Sequence, residues 1–141
     1  MRATDFLEEY RELRARQRVL REALDTFGYD GHPQGTRSAN AALAAPRSTN
    51  NRDAANAQAF DRISQAARAA AERADAMELL LPQVLDALTD ERMKMIVQLY
   101  YADGQTDERI ASLLFLSPRH VNRLRHAGLD AAEKAGEIAW V

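Results

Sequence analysis

Residues 106–127 read TDERIASLLFLSPRHVNRLRHA, and we interpret this stretch as the functional centre of the chain. It contains two helix starts eleven residues apart. Thr106 can cap a first helix, whose first turn then carries two carboxylates beside the positive end of the helix dipole. Ser117 can cap a second helix, with Pro118 at the first helical position, where a missing N–H is harmless. Two short helices joined this tightly predict a helix-turn-helix.

Five apolar residues recur at helical spacing in this stretch: Ile110, Ala111 and Leu114 on the first predicted helix, and Val121 and Leu124 on the second. Residues three or four positions apart share one face of a helix, so each group forms one apolar face. Ala111 is small where the two helices would come closest. We therefore expect these residues to form the core between the two helices.

The other face of the second predicted helix, 118–127, is polar and cationic. Between 117 and 126 there are three arginines and no acidic residue. Arg pairs with guanine edges or phosphates, and Asn pairs with adenine. The candidate DNA-binding residues are Ser117, Arg119, His120, Asn122, Arg123, Arg125 and His126. We expect Arg119, Asn122 and Arg123 to contact bases. We expect His120, Arg125 and His126 to contact phosphates or to flank the groove.

A longer stretch, residues 90–129, reads DERMKMIVQLYYADGQTDERIASLLFLSPRHVNRLRHAGL and resembles the sigma-like phage transcriptional regulators of Gram-positive hosts (the ArpU and RinA type). The shared features are an acidic residue followed by Arg, an apolar helix ending in Tyr-Tyr, a Gly turn, Ile-Ala, a Ser cap and a basic second helix. The spacing of Ala111, Ser117 and Val121 is also similar to that of sigma factor region 4, which reads the −35 element. The resemblance implies a phage or prophage regulator that binds double-stranded DNA in the major groove, with RNA polymerase as a further partner.

One position departs from that pattern. Helix-turn-helix proteins of this kind usually have Gly four residues after the alanine, because that residue turns with a positive φ. This sequence has Phe115 there. A bulky residue with positive φ is strained. Two alternatives follow: the turn differs slightly in geometry, or packing holds Phe115 in place.

Two long helices are predicted in front of this unit. Residues 4–27 carry apolar positions at alternating spacings of four and three: Phe6, Tyr10, Leu13, Leu20, Leu24 and Phe27, with the polar Gln17 among them. Residues 54–88 continue the pattern with Phe60, Ile63, Ala67, Ala70, Ala74, Met77, Leu81, Val84 and Leu88. Such seams are typical of coiled coils. We expect an antiparallel helical hairpin over residues 1–88, which is also a candidate surface for homo-oligomers.

Three further segments complete the predicted organisation. Residues 28–53 hold three of the six glycines and two of the four prolines without a sustained period, and predict a flexible loop. Pro82 predicts a break in the second long helix near Leu81. A domain over 89–141 then begins with a helix over 90–102, capped by Asp90 or its neighbour, and ends with a further helix from Leu129. The predicted fold is therefore all-α, a long hairpin followed by a three-helix unit.

Composition excludes several classes of function. The formal net charge is −2, so DNA affinity must come from a local surface. There are no cysteines, which is typical of a protein of the reducing cytoplasm, and no apolar run approaches the ~20 residues that span a bilayer. Two of the three histidines, His120 and His126, are six apart, not the three or four that would pair them as metal ligands on a helix. We expect neither an enzyme nor a cofactor.

Two other functions fit the same pattern. Small terminase subunits of phages also join a helix-turn-helix to helical oligomerisation segments, and bind DNA for packaging. Alternatively, the chain is a helical interaction protein, in which the hairpin binds a partner protein and residues 106–127 are structural. The oligomeric state separates the first alternative from a regulator, and DNA binding separates the second.

Overall fold

The structure, a computed structural model, describes residues 1–27 and 49–140, and all regular structure in these ranges is helical. The helices are α1 (Ala3–Phe27), α2 (Thr49–Glu78), α3 (Leu81–Asp86), α4 (Glu91–Val97), α5 (Asp107–Leu114) and α6 (Pro118–Lys134). A π-helical turn over Gln98–Ala102 continues α4. The all-α prediction is confirmed. Most of the predicted loop over 28–53 lies outside the described residues, and α2 already begins at Thr49.

The second long helix is interrupted where Pro82 predicted a break. α2 ends at Glu78, two residues form a turn, and α3 begins at Leu81. Pro82 therefore lies in the first turn of a new helix. Backbone N–H groups in a first turn have no acceptor within the helix, so the N–H that proline lacks is not needed there. The predicted break near Leu81 is therefore confirmed, because proline is tolerated at a helix start and not in a helix interior.

The chain divides into two compact units, which we call the first unit (Met1–Ala15 with Glu72–Val141) and the second unit (Arg16–Ala71). The predicted division at residue 88 stays a prediction, but the start of α1 shares its core with residues beyond 88. That core includes Phe6, Leu7 and Tyr10 of α1, Leu81 and Val84 of α3, and Leu129 and Ala132 of α6. The helix-turn-helix thus belongs to a larger packed unit.

Polar contacts also hold the start of α1 in the first unit. The amino group of Met1 donates to the carbonyl oxygen of Ile138 at 2.9 Å, and the Ile138 N–H donates to the Met1 carbonyl oxygen at 2.8 Å. Arg14 donates to Asp75 at 3.2 Å and to Glu78 at 2.9 Å. The N-terminal segment is therefore tied both to α2 and to the C-terminal segment.

The second unit contains the rest of α1 and most of α2. Its described ring contact joins Phe27 and Phe60, two residues of the predicted seams, with centroids 6.1 Å apart. The seam residues Leu20, Leu24 and Ile63 are partly buried. These positions are shielded as the heptad pattern predicts, while the antiparallel hairpin itself stays a prediction.

α6 is one continuous helix that packs closely on α4. A Cβ atom at Gly128 would lie 3.0 Å from Cγ2 of Val97, so the glycine permits the close approach of the two helices. The expected separate helix from Leu129 was wrong, because Gly128 lies inside α6 and does not end it. Asp90 caps α4, with its carboxylate accepting from the Arg92 N–H at 2.8 Å. The predicted three-helix arrangement of α4, α5 and α6 is present, with longer bounds for α6.

Candidate nucleic-acid interface

Both predicted caps of the helix-turn-helix are formed. The Thr106 hydroxyl oxygen accepts from the Arg109 N–H at 3.1 Å, and the Ser117 hydroxyl oxygen accepts from the His120 N–H at 3.1 Å. Pro118 occupies the first turn of α6, as predicted. Ser117 is exposed, but its side chain has a structural role in starting α6. These caps fix where each helix begins, and so which residues of α6 face outward.

The predicted core between the two helices is also present. Ile96 of α4, Ile110 and Ala111 of α5, and Val121 of α6 are buried together. Leu114 and Leu124 pack against them and are partly buried. All five inward residues predicted from helical spacing are therefore confirmed. Because Val121 is fully buried, the opposite face of α6 is turned toward solvent.

That opposite face carries most of the predicted cationic residues. Arg119, Arg123 and His126 are exposed, and their spacing of four and three places them along one side of α6. His120 is partly exposed beside them. No acidic residue occurs between 109 and 129. We call the exposed side chains of Arg119, Arg123 and His126 the α6 basic face.

Asn122 lies at the edge of this face and is partly buried. Its amide nitrogen donates to a carboxylate oxygen of Asp107 at 3.3 Å. Asn122 is thus oriented by α5, with one of its amide N–H groups already bound inside the protein. A base contact from Asn122 would have to use its remaining hydrogen-bonding capacity or exchange this bond.

Arg125 differs from the other predicted residues because it is only 7% exposed. Its Nε and Nη2 atoms donate to the two carboxylate oxygens of Asp107, at 3.2 and 3.1 Å. Its Nη1 atom donates to the Tyr101 hydroxyl oxygen at 3.4 Å, and the guanidinium lies 3.9 Å from the centroid of the Tyr100 ring. Arg125 was expected to meet phosphates or flank the groove. It instead points into the protein, where the Asp107 carboxylate, the Tyr101 hydroxyl and the Tyr100 ring surround its guanidinium.

The ion pair changes the pKa values of its members. Burial alone raises the pKa of Asp107, but the hydrogen bonds from Arg125 and Asn122 outweigh burial and hold that pKa below its ordinary value. Burial lowers the pKa of Arg125, yet its bonds to Asp107 and Tyr101 raise that pKa overall. Burial raises the pKa of the Tyr101 hydroxyl. Asp107 therefore stays ionised, and its charge is neutralised inside the protein beside the α6 basic face.

The π-helical turn connects this ion pair to the N-terminal helix. Asp103 N–H donates to the Gln98 carbonyl oxygen at 3.1 Å, five residues back, which widens the helix at this point. The Tyr100 carbonyl oxygen, within this turn, accepts a hydrogen bond from Nε of Arg11 at 3.1 Å. The Arg11 guanidinium also lies 3.9 Å from the Tyr100 ring centroid. Tyr100 therefore contacts one guanidinium from α1 and another from α6.

This network was not predicted from the sequence. Arg11, the Tyr100-Tyr101 pair and Arg125 are far apart in the chain, and the two tyrosines were interpreted only as the apolar end of a helix. The sequence cue for the ion pair was a carboxylate at the first position of α5 combined with an arginine next to the inward Leu124. That cue gives no register, because the two residues are eighteen positions apart.

Other kinds of site find little support in the described ranges. Among residues 1–27 and 49–140, no group of three or more His, Asp or Glu side chains is placed to hold a metal ion. An open cleft of about 280 Å³ in the first unit is lined by Arg2, Ala3, Glu133, Gly136 and Glu137. Within the described part, no helix has the length and apolarity to cross a bilayer.

Comparison of the chain with protein-family models, with curated proteins and with solved structures gave no match.

Proposed function

We propose that this chain is a sequence-specific DNA-binding regulator of transcription that places the N-terminal part of α6 in the major groove. The observation that carries the proposal is the α6 basic face, which lies opposite the buried Val121 on a helix capped by Ser117. A helix that is apolar behind and cationic in front matches the groove in shape and charge. The chain as a whole has a net charge of −2, so these cations form a local basic surface and do not reflect a generally basic protein.

Arg119 and Arg123 are the proposed base or phosphate contacts, because both are exposed on that face. Asn122 is a secondary contact that α5 orients through Asp107. His120 and His126 flank the groove. Arg125 is not part of the proposed interface, because its guanidinium already donates hydrogen bonds to Asp107 and Tyr101.

The resemblance to sigma-like phage regulators supports two further parts of the proposal. The chain is encoded by a phage or prophage, and it contacts RNA polymerase near a −35 element. Both rest on the likeness of residues 90–129 to those regulators. Exposed residues of the second unit remain the candidate surface for self-association.

The experiment is selection of DNA from a random library by the purified full chain, repeated at two salt concentrations. A specific reader enriches one motif at both concentrations. Binding without a motif, fading steeply with salt, indicates phosphate attraction alone and favours a packaging role of the small-terminase kind. A ring-shaped oligomer in solution points the same way. No binding at either concentration contradicts the proposal and favours a helical interaction protein.

A further inference from the structure

Phe115 joins α5 to α6 in a conformation that phenylalanine rarely adopts. Its φ is 57° and its ψ is 42°, the left-handed helical region. Among the described residues it is the only non-glycine with positive φ. Gly104, at a φ of 67°, shows glycine at another such position in this chain. The turn therefore keeps the geometry that usually requires glycine, and places a bulky residue in it.

The phenyl ring is not held by packing, since Phe115 is 94% exposed. Both alternatives expected from the sequence are thereby overturned: the turn is left-handed, and the ring does not pack on the protein. Left-handed strain raises the free energy of the folded chain, and no packing of the ring offsets it. Gly would remove this strain, and Asn would reduce it. A residue kept in such a state points to a contact outside the fold.

The position of Phe115 indicates what that contact is. It lies two residues before Ser117, so its Cα is within about 7 Å of the residue that caps α6. The N-terminal residues of a recognition helix are the ones that approach base edges. Phe115 also lies inside the stretch 109–129, which has no carboxylate to repel DNA. Apolar side chains, phenylalanine among them, contact the 5-methyl group of thymine in the major groove.

We propose, on the basis of the DNA-binding function above, that Phe115 contacts the 5-methyl group of one thymine in the bound site and selects for that base. A protein partner is a weaker match, because protein contacts use contiguous apolar surfaces. The exposed large apolar residue nearest to Phe115 in sequence is Leu113, two residues away, and it is 45% exposed against 94% for Phe115. The ring precedes the capped start of the cationic α6 by two residues, so a methyl group in the major groove suits it better.

The test uses the DNA site enriched by the wild-type chain. Each thymine in that site is replaced in turn by deoxyuridine, which removes only the 5-methyl group, and Kd is measured for the wild type and for Phe115→Gly. At one thymine the wild type should lose about fourfold in affinity, the factor expected for one buried methyl-sized group. Phe115→Gly should bind the thymine and deoxyuridine duplexes equally at that position. Phe115→Asn, a second variant that tolerates positive φ, should behave like Phe115→Gly.

The matched control is Leu79→Gly, which removes another exposed apolar side chain of the same unit, 82% exposed in the wild type. This variant should keep the wild-type sensitivity to deoxyuridine. The proposal is overturned if no thymine is sensitive in the wild type, or if the glycine and asparagine variants lose as much as the wild type at every thymine. In either case DNA binding still stands, because the enriched site was obtained first. Failure to enrich any site instead overturns the proposed function, and this contact with it.

Discussion

Asp107 and Arg125 join the two helices of the helix-turn-helix through a pair of hydrogen bonds, of 3.2 and 3.1 Å, between one guanidinium and both oxygens of one carboxylate. The pair also neutralises Asp107, one of the two carboxylates in the first turn of α5. Its contacts with Tyr100 and Tyr101 extend it to the π-helical turn. Arg125 is therefore a structural residue within a basic helix, and its role differs from that of the exposed Arg123.

Replacing Arg125 with Ala should lower the free energy of unfolding by about 3 kcal/mol or more. The reason is that removing one partner of a buried ion pair leaves the other charge uncompensated. Chemical denaturation followed by circular dichroism measures the change. Arg123→Ala is the control, since the loss of an exposed side chain on the same helix should change stability by less than about 0.5 kcal/mol. Equal stability of the two variants would show that the ion pair does not stabilise the fold.

The pH dependence of stability should change when Asp107 is replaced with Asn. The folded pKa of Asp107 lies below its ordinary value, despite burial, because Arg125 and Asn122 stabilise the carboxylate. Its stabilising contribution is therefore complete above the unfolded pKa of about 3.9 and is lost as the pH falls through the folded pKa. Over that acidic window the wild type should lose stability more steeply than Asp107→Asn. Parallel curves for the two proteins, measured by denaturation from pH 6 to pH 2, would rule out this linkage.

Replacing Phe115 with Gly should leave the free energy of unfolding unchanged or raise it by up to about 1 kcal/mol. Relief of left-handed strain favours the variant by about 1–2 kcal/mol, and the greater freedom of glycine in the unfolded chain offsets about half of that gain. Thermal or chemical denaturation gives the difference. Leu114→Gly, in the partly buried neighbour, should be clearly destabilising. A large loss of stability in Phe115→Gly would mean that the ring packs on the protein.

Local sequence rules predicted the parts of the fold that depend on neighbouring residues. The caps at Thr106 and Ser117, the inward face of Ile110 and Val121, and the helix break near Pro82 all follow from spacing and residue type. Each depends on contacts a few positions apart, which a single sequence displays directly.

Features that depend on distant residues were beyond the same rules. Arg125 was grouped with the cationic surface, because its partner Asp107 lies eighteen positions away and on another helix. The contact of Arg11 with Tyr100 joins residues eighty-nine positions apart. The sequence predicted that the helix from 118 ends at 127, but it continues to 134. Gly128 lies inside this helix and allows close packing on Val97. In each case tertiary packing decided the outcome.

A DNA titration tests most directly whether the α6 basic face binds DNA. The enriched DNA site is titrated with the wild type, with the double variant Arg119→Ala and Arg123→Ala, and with the control Arg62→Ala and Arg68→Ala, which removes two exposed arginines of the second unit. Each lost contact should cost at least about 1 kcal/mol, so the α6 variant should bind about thirtyfold more weakly or worse. The control should bind like the wild type. An equal loss of affinity in both double variants would mean that DNA is attracted by overall charge and not by the α6 basic face. Wild-type affinity in the α6 variant would contradict the proposed interface.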